Sequence, residues 1–190
     1  MEAFVFDADG VICVGANFSM ALNREYGISH GHLEDFFSGP FADCIVGRRD
    51  LKKALAPFLP TWGWRFSLDE FLRFWFRQEH VVCPEALACV RNLRKRGHLC
   101  VLATNQEKYR ASYLRREMGL EDEFDRVFPS CEIGAAKPSA EFFLALELHL
   151  GKPAHELCLV DDSERNVIGA EACGWRTIRY RGKADLKKLR

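Results

Sequence analysis

Three short apolar runs constrain the fold of this 190-residue chain more than any other feature of its sequence. They are AFVF at residues 3–6, HLCVLAT at 98–104 and LCLVD at 157–161. The runs favour β-strands, and their apolar residues are consecutive instead of alternating with polar ones. Consecutive apolar residues are typical of strands buried on both faces, as in a parallel sheet covered by helices. The runs therefore predict the central strands of an α/β fold.

Further segments extend this pattern. RVFPS at 126–130 and RTIRY at 176–180 also read as strands, and helical patterns occupy 107–118 and 139–150. The second helix is expected to begin at Ser139, directly after a proline. Strands and helices alternate over residues 1–15 and 81–180, which predicts a doubly wound, Rossmann-like parallel sheet. We assign residues 1–15 and 81–190 to this α/β core.

Residues 16–80 have a different character. They contain no comparable strand run, but several helix-like stretches, such as FSMALNREYG, RRDLKKALAPFL and SLDEFLRFWFRQEH. An all-helical insertion after the first strand would lie at the end of the sheet. We therefore expect residues 16–80 to form a small helical cap over the core.

Charge and cysteine content argue against several classes of binding partner and metal site. Lys plus Arg and Asp plus Glu balance at 27 each, so no basic excess is available for a nucleic-acid backbone. The eight cysteines are scattered without a C-x-x-C pair, which argues against zinc and indicates free thiols in a reducing compartment. No signal-peptide pattern or bilayer-length apolar run is present. We expect a cytoplasmic protein with no nucleic-acid or membrane partner.

Polar side chains stand at the carboxyl ends of the predicted strands. Asp7 follows the first run, Thr104 ends the second, and Asp161 and Asp162 follow at the end of the third. Ligands of open α/β sheets bind beyond these strand ends, so the four residues are expected to meet at one edge. Carboxylates held close together repel each other, and a bound cation relieves that repulsion. Oxygen ligands without His or Cys suit Mg²⁺ better than Zn²⁺.

This edge also has the donors that a phosphate group requires. Thr104, Asn105 and Lys137 offer hydroxyl, amide and ammonium groups, which stabilise anionic oxygens. With a phosphoryl group beside them, one acid of the pair Asp7 and Asp9 can attack phosphorus while the other moves protons. The D-x-D-G stretch alone would fit a simple turn equally well, so this interpretation depends on the other motifs.

Four stretches together carry a family resemblance. FDADGVI, LATNQ, GAAKPSAEFF and VDDSERNVIGAEACG resemble the four sequence motifs of the haloacid dehalogenase (HAD) superfamily, in that family's order and spacing. The resemblance covers about two thirds of the chain and leaves out the helical insertion, which would be the cap that many members place after their first motif. It implies that Asp7 is a nucleophile that forms an aspartyl-phosphate, and that Asp9 is the general acid and base.

The resemblance also implies the ligands of the site. Mg²⁺ would bind the Asp7 carboxylate, the Asp9 backbone carbonyl and a carboxylate from DDSERN. We favour Asp162 for the last, with Asp161 acting through a water molecule or from behind the direct ligands. Thr104 and Asn105 would bind the phosphoryl group through a hydroxyl and an amide. The Lys137 ammonium would offset charge on the phosphoryl group and on Asp7.

These features predict a Mg²⁺-dependent phosphatase that hydrolyses a small phosphorylated metabolite, with sugar phosphates as one candidate class. Members named for dehalogenation usually lack the second acid, so Asp9 favours phosphoryl transfer. One alternative is a phosphomutase similar to beta-phosphoglucomutase, which returns the phosphoryl group to a sugar. Others are a receiver-type signalling domain and a catalytically silent binding protein with the same fold. The sequence does not identify the substrate or the oligomeric state.

Overall fold

The computed structural model describes residues 2–189, and its centre is a sheet of parallel strands. The strands are β1 (Ala3–Phe6), β2 (Leu99–Thr104), β3 (Arg126–Pro129), β4 (Leu157–Asp161) and β5 (Arg176–Arg179). They are arranged in the order β3-β2-β1-β4-β5, and every neighbouring pair is parallel. The predicted α/β fold with a doubly wound sheet is therefore confirmed.

Strand β1 is buried on both faces, as its sequence predicts. Phe4 and Phe6 pack into a hydrophobic cluster on one face of the sheet, whereas Ala3 and Val5 pack into a second cluster on the other. Each of the four side chains is exposed by 1% or less. Burying an aromatic or branched apolar side chain contributes about 1.5–3 kcal/mol, so this strand anchors both layers.

Six helices follow β1 within residues 16–80. They are α1 (Phe18–Tyr26), α2 (His30–Phe37), α3 (Pro40–Ile45), α4 (Leu51–Leu55), α5 (Phe58–Thr61) and α6 (Leu68–Gln78). Helix α6 begins with a capping box, in which Ser67 and Glu70 exchange hydrogen bonds between side chain and backbone. The segment predicted to be helical is helical, while its exact boundaries as a domain, 16–80, stay a prediction.

Aromatic side chains hold these six helices together in a cluster of their own. Phe71 is fully buried at its centre, where its ring contacts Phe18, Trp62, Trp64 and Trp75. The aromatic residues of α6 at helical spacing are thus packing residues.

The remaining helices cover the two faces of the sheet. They are α7 (Pro84–Lys95), α8 (Lys108–Arg116), α9 (Leu120–Glu123), α10 (Ser130–Ile133), α11 (Ala140–Leu150) and α12 (Glu164–Ala172), with 3-10 turns at Ala154–Glu156 and Asp185–Lys188. Helices α7, α8 and α9 pack on the Phe4 face, and α11 and α12 pack on the Val5 face. Ser139 is the N-cap of α11, as predicted. Within residues 2–189, no helix has the length and apolarity that a membrane crossing needs.

The sheet order brings distant polar residues together. Phe6 pairs with Val160 of β4, so the next residues, Asp7 and Asp161, stand side by side at the carboxyl ends of the strands. The Asp7 N–H donates to the Val160 carbonyl at 2.9 Å. Since β2 and β3 lie on one side of β1 and β4 and β5 on the other, the direction of chain progression reverses here. Ligand sites of open α/β sheets form at such a reversal.

The aromatic cluster allows a stability prediction. Replacing Phe71 with Ala removes a fully buried ring and should lower the free energy of unfolding by about 3–5 kcal/mol. The matched control is Phe66→Ala, because Phe66 is 53% exposed and should cost about 1 kcal/mol. Urea denaturation followed by tryptophan fluorescence measures both values. Equal losses in the two variants would contradict the assignment of Phe71 to the centre of the cluster.

Candidate active site

Three carboxylates converge at the edge of the sheet. One oxygen each of Asp7, Asp161 and Asp162 lies within 4.8 Å of the other two. Asp7 leaves the end of β1, Asp161 ends β4, and Asp162 follows it directly. Asp7 and Asp161 are buried, whereas Asp162 is exposed. The sequence prediction that these acids would meet at one edge agrees with this geometry.

Lys137 lies between two of these acids. Its Nζ atom is 2.9 Å from Asp7 Oδ1 and 2.6 Å from Asp161 Oδ2, and its side chain is fully buried. Burial alone would lower the pKa of the ammonium, but the negative charges of Asp7 and Asp161 outweigh it and raise that pKa. Lys137 is therefore a fixed positive charge next to Asp7, the residue predicted from the sequence to be the nucleophile.

The Asp7 carboxyl is under opposing influences. Burial and, to a smaller extent, the neighbouring Asp161 carboxylate together raise its pKa to about 7, although Lys137 lowers it. The Ala8 N–H donates to Asp7 Oδ1 at 2.7 Å and fixes the side chain at the strand end. A cation at this position would therefore favour the ionised, nucleophilic form of Asp7.

Asp161 and Asp162 have different surroundings. Asp161 is fully buried, accepts hydrogen bonds from Asn166 Nδ2 and from the Ser163 N–H, and binds Lys137. Its lone pairs are therefore largely engaged by the protein. Asp162 instead lies against Gly10, where a Cβ atom would come within 2.2 Å of Asp162 Oδ2. Gly10 also has φ of 82°, so a side chain there would both strain the turn and displace Asp162.

Thr104 ends β2 and Asn105 follows it, on the other side of Asp7. Thr104 Oγ1 is buried and has no hydrogen-bond partner within residues 2–189. An unpaired buried hydroxyl costs free energy, and an anionic ligand at this edge would satisfy it. The Asn105 side chain has a different contact, since its Nδ2 donates to the Lys137 carbonyl and its Oδ1 accepts from the Lys137 N–H, at 2.8 and 2.9 Å. It therefore positions Lys137, and its predicted grip on a phosphoryl group stays a prediction.

Asp9 stands apart from the carboxylate cluster. Its side chain is half-exposed and is turned toward the start of helix α8, and Gln106, which precedes that helix, donates from Nε2 to Asp9 Oδ2. The Arg110 Nη2 atom lies 3.7 Å from Asp9 Oδ1. The two predicted catalytic acids are thus separated by one residue in sequence but have different partners.

A cavity opens beside Asp9, between the first motif and the helical segment. Its volume is about 310 Å³, and Gly10, Cys13, Phe18 and Glu79 are among its lining residues. Burial raises the pKa of the Cys13 thiol to about 12, so it is not a nucleophile. The cavity is large enough for a small organic group, and it leads directly to Asp9.

Three residues of this region were not predicted from the sequence: Gln106, Glu79 and Arg110. Gln106 belongs to the LATNQ motif, and its position next to Asn105 was an available signal. Glu79 and Arg110 lie outside the four motifs, Glu79 directly after α6 and Arg110 in the amphipathic helix α8. Only the packing of α6 against α8 brings them together.

The donor set fits a hard divalent cation. Three carboxylates without His or Cys provide oxygen ligands, and the mutual repulsion of the buried pair is only partly offset by Lys137. Burial, followed by the charge of Asp161, raises the pKa of Asp162 as well, as expected for acids that lack a full counter-charge. These are oxygen ligands of the kind that Mg²⁺ prefers.

Solved structures share this fold. A HAD family enzyme from Bacteroides thetaiotaomicron, solved as a magnesium complex, superposes with a TM-score of 0.80 at 23% identity, covering 97% of this chain and 94% of that one. The L-2-haloacid dehalogenase from Xanthobacter autotrophicus, with chloropropionic acid covalently bound, gives a TM-score of 0.69 at 22% identity, covering 97% and 80%. Both are similar to this chain in fold.

The chain is also similar in sequence to known proteins. The chloroplastic protein SUPPRESSOR OF QUENCHING 1 from Arabidopsis thaliana is 24% identical over 186 residues, which are 94% of this chain and 18% of that protein. The chain spans less than a fifth of the length of the curated relatives it matches, at 12% and 18%. Residues 1–174 match the sequence model of a haloacid dehalogenase-like hydrolase. Since this match covers 174 of 190 residues, the chain belongs to the haloacid dehalogenase-like hydrolase family.

Proposed function

We propose that this hydrolase is a Mg²⁺-dependent phosphatase that cleaves a small phosphomonoester through an aspartyl-phosphate on Asp7. The observation that carries the proposal is the position of Asp7, which lies 2.9 Å from the buried Lys137 ammonium and beside two further carboxylates. This arrangement combines an oxygen nucleophile with an ammonium group that would offset charge on a phosphoryl group, and with carboxylates that could bind Mg²⁺. The unpaired Thr104 hydroxyl supplies a donor at the same edge.

The proposed reaction has two steps. A carboxylate oxygen of Asp7 attacks phosphorus and forms an O–P bond, while the P–O bond to the leaving alcohol breaks and Asp9 gives that alcohol its proton. Asp9 then removes a proton from a water molecule, which attacks phosphorus and releases inorganic phosphate and the free Asp7 carboxylate. Lys137 and Thr104 stabilise the phosphoryl oxygens in both steps.

Asp7, Asp162 and the Asp9 carbonyl would hold Mg²⁺, with Asp161 behind them. When bound, Mg²⁺ offsets charge on the phosphoryl oxygens and reduces the repulsion among the acids. The contacts of Asp161 support this division, because its oxygens already bind Lys137 and Asn166. The structural neighbour from B. thetaiotaomicron was also solved in complex with magnesium and inorganic phosphate, which is consistent with such a site.

Family membership sets aside the receiver-type signalling domain as an alternative. Other members act on other bonds, as the L-2-haloacid dehalogenase illustrates. Asp9 favours phosphoryl transfer in this chain, since dehalogenation does not need a second acid to protonate an alkoxide. A phosphomutase would use the same residues and differ in returning the phosphoryl group to a sugar.

Replacing Asp7 with Asn tests the proposal directly. An amide is neither a nucleophile nor a good metal ligand, so turnover of p-nitrophenyl phosphate should fall to background while the melting temperature stays close to that of the unmodified chain. The control is Asp122→Asn, an exposed acid on α9 that should retain full activity. Phosphate release is measured with a colorimetric assay. An active Asp7→Asn variant would show that the nucleophile is another residue, and an inactive wild type would favour the silent binding protein.

The two charged groups beside Asp7 should respond differently to metal. Asp162→Ala removes a proposed ligand, so the Mg²⁺ concentration for half-maximal activity should rise at least about tenfold, with activity partly recovered at high Mg²⁺. Lys137→Ala removes a fixed charge that added metal does not replace, so its activity should stay low. Activity is titrated with Mg²⁺ after removal of metal with EDTA. Equal rescue of both variants, or full activity of the unmodified chain without metal, would contradict these roles.

The proton transfer assigned to Asp9 predicts a dependence on the leaving group. An alkoxide needs a proton to leave, whereas p-nitrophenolate hardly does. Asp9→Asn should therefore slow aspartyl-phosphate formation from glycerol 2-phosphate by about a hundredfold to ten-thousandfold and affect p-nitrophenyl phosphate far less. Rapid quench of the first turnover measures this, because Asp9 is also needed for the second step. Equal losses on the two substrates would remove the acid and base assignment.

A further inference from the structure

Arg110 is a buried cation with no role in the two proposed reaction steps. It lies on α8 with a side chain that is 2% exposed, and Nη2 is 3.7 Å from Asp9 Oδ1 and 3.5 Å from Glu79 Oε2. Neither Nε nor Nη2 makes a hydrogen bond within the described residues 2–189. Burying a guanidinium group with unused donors is unfavourable. The neighbouring carboxylates of Asp9 and Glu79 offset the charge of this buried guanidinium.

The protein holds Arg110 firmly from the opposite side. Its Nη1 donates to the Phe76 carbonyl at 3.3 Å, and its guanidinium lies 5.5 Å from the ring centres of both Phe76 and Tyr113. The first turn of α8 is fixed as well, because Glu107 caps the N–H groups of Tyr109 and Arg110. The guanidinium therefore has one orientation, with Nη2 directed between Asp9 and Glu79.

Gln106 holds the second oxygen of Asp9. Its Nε2 donates to Asp9 Oδ2, and its own N–H donates to Ser130 Oγ at 2.9 Å, which fixes the start of the segment. Each oxygen of Asp9 thus faces a donor from one short segment, residues 106–110. Asp9 needs such support, because its side chain is 52% exposed and lies on a turn. Without these donors, a bound cation would attract the carboxylate toward Asp7 and Asp162.

We propose that Arg110 and Gln106 are positioning residues for Asp9, which keep its carboxylate at the cavity and away from the metal cluster. Glu79, at the end of α6, balances the charge of Arg110 and accepts a hydrogen bond from Trp75 Nε1 at 3.1 Å. The catalytic consequence rests on the function proposed above, whereas the geometric claim does not. The leaving alcohol would sit in the cavity lined by Asp9 and Glu79.

The test compares Arg110→Met and Gln106→Met, which retain most of the side-chain volume and remove the donors. The matched control is Arg115→Met, on the same helix, since Arg115 pairs with Glu132 instead. A displacement of about 1 Å at a reacting group costs about a hundredfold in rate. Both variants should therefore lose about ten- to hundredfold in aspartyl-phosphate formation from glycerol 2-phosphate and less than about threefold from p-nitrophenyl phosphate.

Two further measurements separate positioning from a merely structural role. In an Asp9→Asn background, neither substitution should lower the rate on glycerol 2-phosphate further, because both act through Asp9. Equal losses on the two substrates, or full additive losses in that background, would overturn the proposal. If the Arg110→Met variant does not fold, the same measurements on Gln106→Met alone test the proposal.

Crystal structures of the two variants with Mg²⁺ test the geometry even if the chain does not act as a phosphatase. The Asp9 carboxylate should turn away from α8 in each, while the Arg115→Met control keeps it in place. An unchanged Asp9 side chain in both variants would overturn the proposal. A turned Asp9 in a chain that hydrolyses neither substrate would retain the positioning role and reject the proposed function.

Discussion

The site depends on one buried ion-pair arrangement, the Lys137 ammonium between Asp7 and Asp161. All three groups are removed from water, and their desolvation is offset only because the contacts are short and both carboxylates have further donors. Loss of the Lys137 charge would leave two buried carboxylates facing each other. The position of Lys137 is therefore the constraint that the surrounding residues satisfy.

Several otherwise unrelated features follow from this constraint. Asn105 clamps the backbone of Lys137 with both of its amide atoms, and Asn166 and the Ser163 N–H hold Asp161. The sheet order supplies the rest, because parallel β1 and β4 in this register bring the acids into contact. The sheet topology thus places Asp7 and Asp161 side by side, and the short polar contacts then fix Lys137 and Asp161 in position.

The fold and the polar residues at the sheet edge could be predicted from the sequence for physical reasons. A strand buried on both faces is apolar along its length, and a polar residue at its carboxyl end or directly after it must lie at the sheet edge, so the positions of Asp7, Thr104 and Asp161 were predictable. Contacts between elements were not. The two hydrogen bonds of the Asn105 side chain to the Lys137 backbone were not predicted, because the sequence does not specify how the loop after α10 approaches β2.

Arg110 illustrates a stronger limit. A single arginine on an amphipathic helix is usually exposed, and its burial results from the packing of α6 and Tyr113 around it. Its partner Glu79 comes from a segment whose helical character was predicted but whose placement against α8 was not. Hydrophobic periodicity predicts individual helices and strands, but no pattern of this kind predicts which distant elements pack against each other.

The chemical identity of the intermediate tests the central claim most directly. If Asp7 accepts the phosphoryl group, quenching the first turnover of p-nitrophenyl phosphate and reducing the acyl phosphate with borohydride should convert residue 7 to homoserine. Peptide mass spectrometry would locate this change, and it should be absent without substrate. Release of phosphate with residue 7 unmodified, or with the reduced residue at another position, would contradict the account.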